Sequence, residues 1–427
     1  MSERFDHIPL GDLFEIVKGS ICPFLFPDEE FAHHSLPAFD LTGGPAIEFG
    51  KQIESNKTLL SEPVVLLSKL NPRTSRVSLV DPTNAELRHC CSTEFIALKT
   101  KENGLSLSFY KYYFQTHRFR ALLNSVAVGT TNSHVRVNPS ETLKWVVPHP
   151  SKVEQAKIVE ILSTVDLAIE QTEALITKQQ RIKAGLMQDL LTRGIDKHGN
   201  LRSESTHLFR DSDLGRIPVE WETKPLSSVV DLQVGYALKS SWFSEDGVRL
   251  LRGENVGTGT PDWKDTRWLP PEIAAKYQGY NLVAGDLIIG MDRTFTKQGF
   301  KVSLLDEHDT PCLLVQRVGL FVPLHIPRGF MQLLIQSPSY QRALLLEQKG
   351  MDIPHLSKAE ILTPLVPVPQ SPDEMEAIAR HVEVMRFSLQ NNISSLAKLR
   401  CLKTALMQDL LTGNKRVMSL LEPELTN

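Results

Sequence analysis

The sequence predicts an α/β protein of the α+β type, in which two mixed α/β domains are separated by two long helices that form an antiparallel coiled coil. The heptapeptide Leu-Met-Gln-Asp-Leu-Leu-Thr occurs at 186–192 and again at 406–412. An identical repeat of this length indicates internal duplication. Each copy ends a stretch in which apolar residues recur every three or four positions. A segment with mixed strand and helix patterns precedes each stretch, so the chain contains one plan twice.

The two long helices are predicted over 153–192 and 372–412. Steps of three and four residues alternate along each apolar stripe, as in the heptad seam of a coiled coil. A helix of this length extends roughly 60 Å and needs a partner for its stripe, so we expect the two helices to pack on each other. The alternative is two unrelated helices, each packed on its own domain. The seam residues are Ile158, Leu162, Val165, Ile169, Ile176, Leu186 and Leu190, and then Ile378, Val382, Met385, Leu389, Leu396, Leu406 and Leu410.

Polar residues interrupt both seams. Gln179 and Lys183 occupy seam positions of the first helix, and Asn392 and Lys403 occupy those of the second. Polar seam residues lower the stability of a coiled coil and help to fix its register.

The repeat divides the chain into six predicted segments. Gly194 follows the first long helix at a usual position for a C-terminal cap. Pro148 and Pro150 precede that helix, and Pro367 and Pro369 precede the second, where prolines suit a sharp helix entry. The predicted segments are a first domain at 1–150, a first helix at 151–193, a connector at 194–216, a second domain at 217–371, a second helix at 372–413 and a tail at 414–427.

The two domains have the same order of predicted elements. In the first domain, residues 64–67 and 90–98 are predicted strands, and residues 109–123 have helical spacing. The counterparts in the second domain are residues 286–289, 312–322 and 329–346. The frames match while the loops between them differ in sequence, which favours two modules that do the same job on different targets.

Composition and charge limit the classes of protein that fit. The 427 residues can form two or three domains, and 41% hydrophobic and 23% charged residues are ordinary for a globular protein. With 47 basic and 50 acidic residues, the net charge is −3. Binding to nucleic acid would therefore need positive charge collected on one face or supplied by partners. The five cysteines form no Cys-x-x-Cys pair and no apolar run reaches a membrane span, so we expect a cytoplasmic protein without membrane contact.

The sequence lacks catalytic and metal-binding motifs. It has no Gly-x-x-x-x-Gly-Lys-Ser/Thr phosphate loop, no Asn-Pro-Pro-aromatic tetrad of an amino-methyltransferase and no His-Glu-x-x-His. His33 and His34 are expected at the surface rather than at a metal. Cys90 and Cys91 are expected on one strand, with one side chain inward and one outward. We predict no catalytic residues, no metal site and no cofactor bound by this chain.

Polar loops supply the candidate DNA-binding residues. Arg pairs with guanine, and Asn or Gln with adenine, in the major groove. Loops are also polar because they are solvated, but these loops recur at matched places in both domains, which favours binding. The first domain contributes Asn71, Arg73, Thr74, Ser75, Arg76, Thr130, Thr131, Asn132, Ser133, His134 and Arg136. The second contributes Arg293, Thr294, Thr296, Lys297, Gln298, Lys301, Lys349 and His355, with Lys239, Arg252 and Asn255 as weaker additions.

The chain resembles the specificity subunit of type I restriction-modification systems. The resemblance is carried by residues 186–202, from Leu-Met-Gln-Asp-Leu-Leu-Thr to Gly-Asn-Leu-Arg, and by Asp-Leu-Gly-Arg-Ile-Pro-Val-Glu-Trp at 213–221. The second Leu-Met-Gln-Asp-Leu-Leu-Thr-Gly, at 406–413, completes it. The alternation of domain and helix extends the resemblance over the whole chain.

The resemblance implies a division of labour. The two mixed domains would be target recognition domains, each reading one half of a bipartite asymmetric sequence in double-stranded DNA, and the helix pair would set the gap between the halves. Two modification subunits, which use S-adenosylmethionine to methylate adenine at N6, would dock on this chain. Restriction subunits, which use ATP and Mg, would join them. This chain would carry no catalytic site of its own.

Two other functions stay open from the residues alone. The first is a self-contained DNA methyltransferase or nuclease whose site consists of scattered carboxylates. The second is a scaffold that joins other proteins through two domains on a coiled coil and does not bind DNA.

Overall fold

The computed structural model describes residues 5–128, 135–347 and 355–420. Contacts divide the chain into two compact units. Unit 1 comprises Met1–Ala174 with Ser394–Asn427, and unit 2 comprises Leu175–Ile393. Each unit therefore contains one mixed domain, one half of the first long helix and one half of the second.

Unit 1 is built on three sheets. A four-stranded antiparallel sheet has the order β2-β10-β7-β8, a five-stranded sheet has the order β3-β6-β9-β4-β5 with β4 and β9 parallel, and β1 pairs with β11. The strands are β1 Asp6–Pro9, β2 Phe14–Ile16, β3 Ser20–Ile21, β4 Glu30–His34, β5 Ala46–Phe49, β6 Lys57–Leu60, β7 Val64–Ser68, β8 Val77–Val80, β9 Arg88–Cys91, β10 Phe95–Thr100 and β11 Val146–His149. The helices are α1 Leu10–Leu13, α2 Leu36–Thr42, α3 Leu107–Phe114, α4 His117–Ser125, α5 Pro139–Thr142 and the long α6 Lys152–Thr192.

Unit 2 repeats this sheet plan with one strand fewer in the second sheet and with two added two-stranded sheets, β12-β13 and β20-β21. Its sheets have the orders β15-β24-β19-β22 and β17-β16-β23-β18, with β16 and β23 parallel, and β14 pairs with β25. The strands are β12 Phe209–Ser212, β13 Gly215–Pro218, β14 Trp221–Pro225, β15 Val230–Val234, β16 Val248–Leu251, β17 Arg267–Leu269, β18 Asn281–Leu282, β19 Leu287–Gly290, β20 Phe295–Thr296, β21 Gly299–Phe300, β22 Val302–Leu304, β23 Cys312–Leu314, β24 Val318–Pro323 and β25 Leu365–Pro369. The helices are α7 Pro271–Ala274, α8 Arg328–Gln336, α9 Pro338–Glu347, α10 Lys358–Leu362 and the long α11 Pro372–Leu411.

The predicted fold class is confirmed, since two mixed α/β frames share one topology and two long helices accompany them. Four predicted elements are each divided in two: the strands expected at 90–98 and 312–322, and the helical segments expected at 109–123 (α3 and α4) and 329–346 (α8 and α9). The single strand expected at 90–98 is two strands in different sheets, because Phe95 N–H bonds the Ser92 carbonyl at 3.0 Å and closes a turn. The counterpart at 312–322 breaks at the same place, between β23 and β24.

Two expectations about burial are also wrong. Cys90 and Cys91 are both 0% exposed, because the two faces of β9 pack into different apolar clusters. His33 and His34 are buried at 9% and 8% exposure rather than lying at the surface. Among the described residues, no group of His, Cys, Asp and Glu is arranged to hold a metal. None of the described helices is long and apolar enough to cross a membrane.

The long helices pack on each other within each unit, and they are antiparallel. In unit 1, Lys403 Nζ lies 2.6 Å from an Asp166 carboxylate oxygen and Arg400 Nη2 lies 2.7 Å from Glu173, so higher numbers on α11 meet lower numbers on α6. At the start of α6, Ile158 is fully buried in the core of this unit. The remaining seam positions are buried or half-buried. Between Ile169 and Lys183 on α6, and between Val382 and Lys403 on α11, the residues off the repeat of three and four are exposed, as a heptad seam requires.

The polar seam residues of unit 2 pair with each other. Asn392 Nδ2 donates to Gln179 Oε1 at 2.8 Å, and Gln179 Nε2 donates to Ser388 Oγ at 3.2 Å. An amide pair of this kind satisfies both side chains only when the helices are in this register.

A buried carboxylate at the start of each long helix holds that helix to the segment that follows the other. In unit 1, Glu154 is 1% exposed and receives bonds of 2.8 Å from Arg416 Nε and Nη2. In unit 2, Glu374 bonds Arg202, with Arg202 Nη2 3.0 Å from Glu374 Oε2, and Trp221 Nε1 donates to the same carboxylate. Glu154 and Glu374 are 220 residues apart, which is the offset of the repeat.

The chain turns away from each helix through a left-handed glycine. Gly194 lies against the pair of Glu374 and Arg202, and Gly413 lies against Phe5, whose ring centroid is 4.8 Å from the Arg416 guanidinium. Gly194 has φ +64°, and a Cβ there would collide with Glu374, Trp221 and Arg202. Gly413 has φ +74°, and a Cβ there would lie 2.9 Å from the Phe5 ring. Both positions therefore require glycine for conformation and for space.

Removing the partner of a buried carboxylate tests this description. Burial raises the pKa of Glu154, but the hydrogen bonds and charge of Arg416 outweigh burial and leave that pKa below its usual value. The pair therefore stabilises the fold above the ordinary glutamate pKa, and this contribution is lost as pH falls through the lowered value. We expect Arg416→Met to lower the free energy of unfolding by about 3–5 kcal/mol at neutral pH.

The difference in the free energy of unfolding between Arg416→Met and the wild type should narrow toward about pH 5. In the variant the buried Glu154 has no cationic partner, so its pKa is raised and it becomes neutral as the pH falls. Urea unfolding at the two pH values measures this. The control is Lys157→Met, which breaks the exposed pair with Glu160 on the same helix (3.0 Å) and should cost under about 1 kcal/mol. An equal deficit for Arg416→Met at both pH values would contradict the assignment.

Candidate nucleic-acid interface

Two of the predicted loops meet at the end of one strand in unit 1. The loop that begins at Asn71 follows β7, and Asn71 N–H donates to the Val135 carbonyl at 2.9 Å. The neighbouring Leu70 pairs with Arg136 as an antiparallel bridge. The backbone bonds therefore place the predicted residues of 71–76 beside Arg136.

The same arrangement occurs in unit 2 at the end of β19. Asp292 pairs with His355 as an antiparallel bridge, and Leu356 N–H donates to the Met291 carbonyl at 2.9 Å. The predicted loop at 293–298 thus lies beside His355. Thr130, Thr131, Asn132, Ser133, His134 and Lys349 lie outside the described residues.

Each loop begins with a residue in the left-handed region of backbone space. Asn71 and Arg293 both have φ +48°. Asparagine tolerates this conformation well, whereas arginine adopts it rarely. The matching angle shows that the two loops leave their strands in the same way although their sequences differ.

A third segment, which the sequence patterns do not predict, contacts each pair of loops. In unit 1, Lys69 N–H donates to the carbonyl of Glu94, just before β10, at 3.0 Å. In unit 2, Met291 N–H donates to the carbonyl of Arg317, just before β24, at 2.9 Å. These residues lay inside segments predicted as unbroken strands, so the sequence pattern hid the turn.

Ion pairs hold two of the predicted arginines in unit 1. Arg76 Nε and Nη2 bond the Asp40 carboxylate at 2.6 and 2.8 Å, which lowers the pKa of Asp40 and raises the pKa of Arg76. Arg136 binds Glu94 through Nε and Nη2, and this bond raises the pKa of Arg136. Arg76 is largely covered, with 13% of its side chain exposed, whereas Arg136 is 50% exposed.

An open cleft of about 1080 Å³ gathers much of the predicted set in unit 2. The predicted residues that line it are Arg252, Arg293, Thr296, Gln298 and Lys301, and residues not predicted include Asp292, Gln316, Arg317, Trp263 and Lys264. Its lining mixes donors and acceptors on four loops, which is suited to reading polar edges.

Several predicted residues build the cleft rather than face it. Asn255 is 1% exposed and donates to the carbonyls of Asp262 and Asp265 at 3.0 Å each. Thr294 is fully buried and donates to the Gly290 carbonyl at 2.7 Å. These two side chains fix loop shape, and water or DNA has little access to them.

Two of the predicted basic residues that line the cleft are held by hydrogen bonds to backbone carbonyls. Arg252 Nη2 bonds the Asp265 carbonyl at 3.0 Å, and 16% of the Arg252 side chain is exposed. Lys301 Nζ donates to the Gly253 carbonyl at 2.6 Å, and burial lowers the Lys301 pKa. The predicted side chains that are exposed, across both units, are Arg73, Thr74, Ser75, Arg136, Lys239, Arg293, Thr296, Lys297, Gln298 and His355.

Comparisons with known proteins show what the chain is similar to. Residues 3–179 match the profile of the type I restriction modification DNA specificity domain. A solved S subunit of the type I restriction-modification system from M. genitalium shares the fold, with TM-score 0.58, 16% identity, and coverage of 95% of this chain and 96% of that chain. A chain from a study of complex assembly and conformational transition of the type I system gives TM-score 0.57 at 17% identity, covering 96% and 98%. Residues 3–179 therefore match that DNA specificity domain, and the solved chains show that this chain shares their fold over nearly its whole length.

Two similar proteins carry the name of a type I specificity subunit. The chain is 29% identical to the MjaVIII specificity subunit of Methanocaldococcus jannaschii, over 98% of this chain and 94% of that protein. It is 32% identical to the EcoAI specificity subunit of Escherichia coli, over 36% of this chain and 27% of the relative.

The left-handed loop starts provide a test of the interface. Replacing Arg293 by glycine removes backbone strain and one cation, so Arg293→Gly should raise the free energy of unfolding by about 1 kcal/mol and weaken DNA binding. Asn71→Gly is the matched variant in unit 1 and should gain less stability, because asparagine already tolerates the conformation. Denaturant unfolding and DNA titration of the same preparations measure both effects. Tighter DNA binding by Arg293→Gly would contradict a role for this side chain in the interface.

Proposed function

We propose that this chain is the DNA-reading subunit of a type I restriction-modification complex and that each unit reads one half of a bipartite target. One observation carries the proposal. Three segments converge at the ends of equivalent strands in two equivalent sheets, and they carry different side chains in the two units. A constant frame with variable polar loops is suited to two domains that read different base sequences.

The chemistry of the surface loops fits the edges of base pairs. Arginine bonds guanine O6 and N7, and asparagine or glutamine bonds adenine N6 and N7. Arg73 in unit 1, and Arg293 and Gln298 in unit 2, are candidates for such contacts. Lys297 is suited to phosphate, which sets affinity but not sequence. The net charge of −3 implies that partner subunits supply part of the charge that binds DNA.

The six predicted segments receive roles in this proposal. Residues 1–150 and 217–371 are the two target recognition domains. Residues 151–193 and 372–413 are the spacer helices, 194–216 is the connector between them, and 414–427 is the tail. The repeated sheet plan lies within residues 1–150 and 217–371. A buried ion pair joins the start of each helix to the segment that follows the other helix.

Modification subunits are the partners we assign to the helices, with two copies matching the two-fold repeat of the sequence. An apolar groove of about 630 Å³ lies on the helix pair within unit 2, lined by Ile182, Leu186, Val384 and Met385 among others. Val384 and the nearby Phe387 are 70% and 67% exposed. Exposed apolar residues of this size favour a protein partner. S-adenosylmethionine would bind the modification subunits, and ATP and Mg the restriction subunits.

Methylation mapping tests the proposed function most economically. DNA from a host that carries this chain with its modification subunits should show methyladenine in one bipartite motif. Methylation or cleavage by this chain alone would favour the self-contained enzyme. Absence of salt-dependent DNA binding by the assembled complex would favour the scaffold.

Matched substitutions should separate the two half-sites. We expect Arg73→Ala to relax recognition within one half of the motif and Arg293→Ala to relax the other half, each with a loss of about 1–3 kcal/mol at one base pair. Lys297→Ala is the control, and it should weaken binding to all sequences alike. Methylation rates on duplexes with single base-pair changes measure the effects. If Arg73→Ala and Arg293→Ala affected the same half-site, the assignment of one half to each unit would be wrong.

We expect the length of the helix pair to set the number of base pairs between the two half-sites. Four residues inserted after Ala174 and four after Ile393 add about 6 Å to each helix and keep the apolar stripes nearly in phase. The gap of the methylated motif should then grow by one or two base pairs, at about 3.4 Å per step, with unchanged half-sites. Insertions of two residues rotate the stripe by about 200° and should abolish folding or assembly. Full activity on an unchanged gap would show that the helices do not set the spacing.

A further inference from the structure

One carboxylate in unit 2 holds two side chains that come from separate segments. Asp292 follows β19, and its Oδ2 accepts a bond of 2.9 Å from Arg317 Nη1. Its Oδ1 lies 2.6 Å from His355 Nδ1. Arg317 precedes β24 and His355 precedes α10, so Asp292 links the three segments that converge at this edge.

Arg317 extends from this link into the cleft. Its side chain is 68% exposed, against 23% for Asp292. Among the described residues, Asp292 is the hydrogen-bond partner of its guanidinium, and that bond uses one of five N–H groups. The bond from one nitrogen to Asp292 therefore orients the planar guanidinium, and most of its N–H groups face solvent beside Arg293 and Gln298.

Stability does not explain this arrangement. Arg317 has φ +66°, a conformation that costs a non-glycine residue free energy. An exposed ion pair stabilises the fold too little to offset that free energy. By contrast, Arg328 and Asp286 form a pair of the same length, 2.9 Å, at the opposite end of β19, and Arg328 has an ordinary backbone within α8.

The matched position in unit 1 holds the opposite charge. Glu94 precedes β10 as Arg317 precedes β24, and it bonds Arg136, the counterpart of His355. The frame thus keeps one location at the converging loops and changes the chemistry placed there. This is the behaviour expected of a position that selects a base.

We propose that Arg317 is a base-reading residue of unit 2 that recognises guanine in the major groove, and that Asp292 is the positioning residue that orients its guanidinium. An arginine held at one nitrogen by a carboxylate loses little freedom when it bonds guanine O6 and N7. The inference rests on the proposed function and adds a reading segment, the turn before the central strand, to the loops predicted from sequence.

The test uses the full chain assembled with its modification subunits. The wild-type complex is first mapped for its methylated motif, and the absence of a bipartite motif would count against the proposed function itself. Methylation rates are then measured on duplexes that carry every single base-pair change in both half-sites. Arg317→Ala should reduce discrimination at one G·C pair of one half-site by about 10- to 100-fold and leave the other half-site unchanged.

Two further variants separate base reading from other roles. Arg317→Lys retains the charge but not the fork, so it should preserve overall affinity while still losing discrimination at that pair. Asp292→Asn should affect the same base pair more weakly, which a merely structural role would not do. Arg328→Ala is the matched control, and it should leave the specificity profile unchanged.

Two outcomes would overturn the inference when the wild-type motif is present. Equal weakening on every duplex by Arg317→Ala, with rescue by Arg317→Lys, would make Arg317 a phosphate contact. An unchanged specificity profile in Arg317→Ala would exclude it from reading.

Discussion

The structure depends on the antiparallel pairing of the two long helices, because each compact unit contains the start of one helix and the end of the other. A buried glutamate fixes each start: Glu154 bonds Arg416, and Glu374 bonds Arg202. Burying a carboxylate is costly unless it is paired and hydrogen-bonded. The two pairs therefore hold only when the segment after one helix returns to the start of the other, and this requirement fixes the plan of both mixed domains.

The frame built on these helices separates constant from variable parts. The sheets β2-β10-β7-β8 and β15-β24-β19-β22 have equivalent strand orders, and their strands β7 and β19 lead into loops that begin in the same left-handed conformation. Backbone bonds to neighbouring segments fix each loop, so its side chains can change without altering the frame. The ion pairs illustrate this freedom: Arg136 with Glu94 in unit 1 is replaced by His355, Asp292 and Arg317 in unit 2. One scaffold can thus present two different sets of donors and acceptors.

Much of this plan could be predicted from sequence because it depends on periodic patterns. The heptad steps and the repeated heptapeptide located both long helices, and Gln179 and Asn392 were recognised as polar seam positions, although their mutual hydrogen bond was not. Contacts between distant residues had no local signal. The spacing Ser-x-x-Glu at 151–154 and 371–374 is typical of a helix start, and in both cases the Glu N–H donates to the Ser Oγ. Nothing local indicates which arginines bond the two glutamates. The turn at Glu94 was hidden within an apolar run, and the burial of Asn255 and Thr294 depends on how loops fold over them.

The most direct test of the central claim, that each unit reads its own half-site within a shared frame, is a domain replacement read by methylation mapping. Residues 217–370 are replaced by a second copy of residues 1–150, so that Ser371 still precedes the second long helix as Ser151 precedes the first. The account predicts a methylated motif with the half-site of unit 1 on both sides of an unchanged gap. A motif that retained the half-site of unit 2 would contradict it, because the residues assigned to reading that half would be absent.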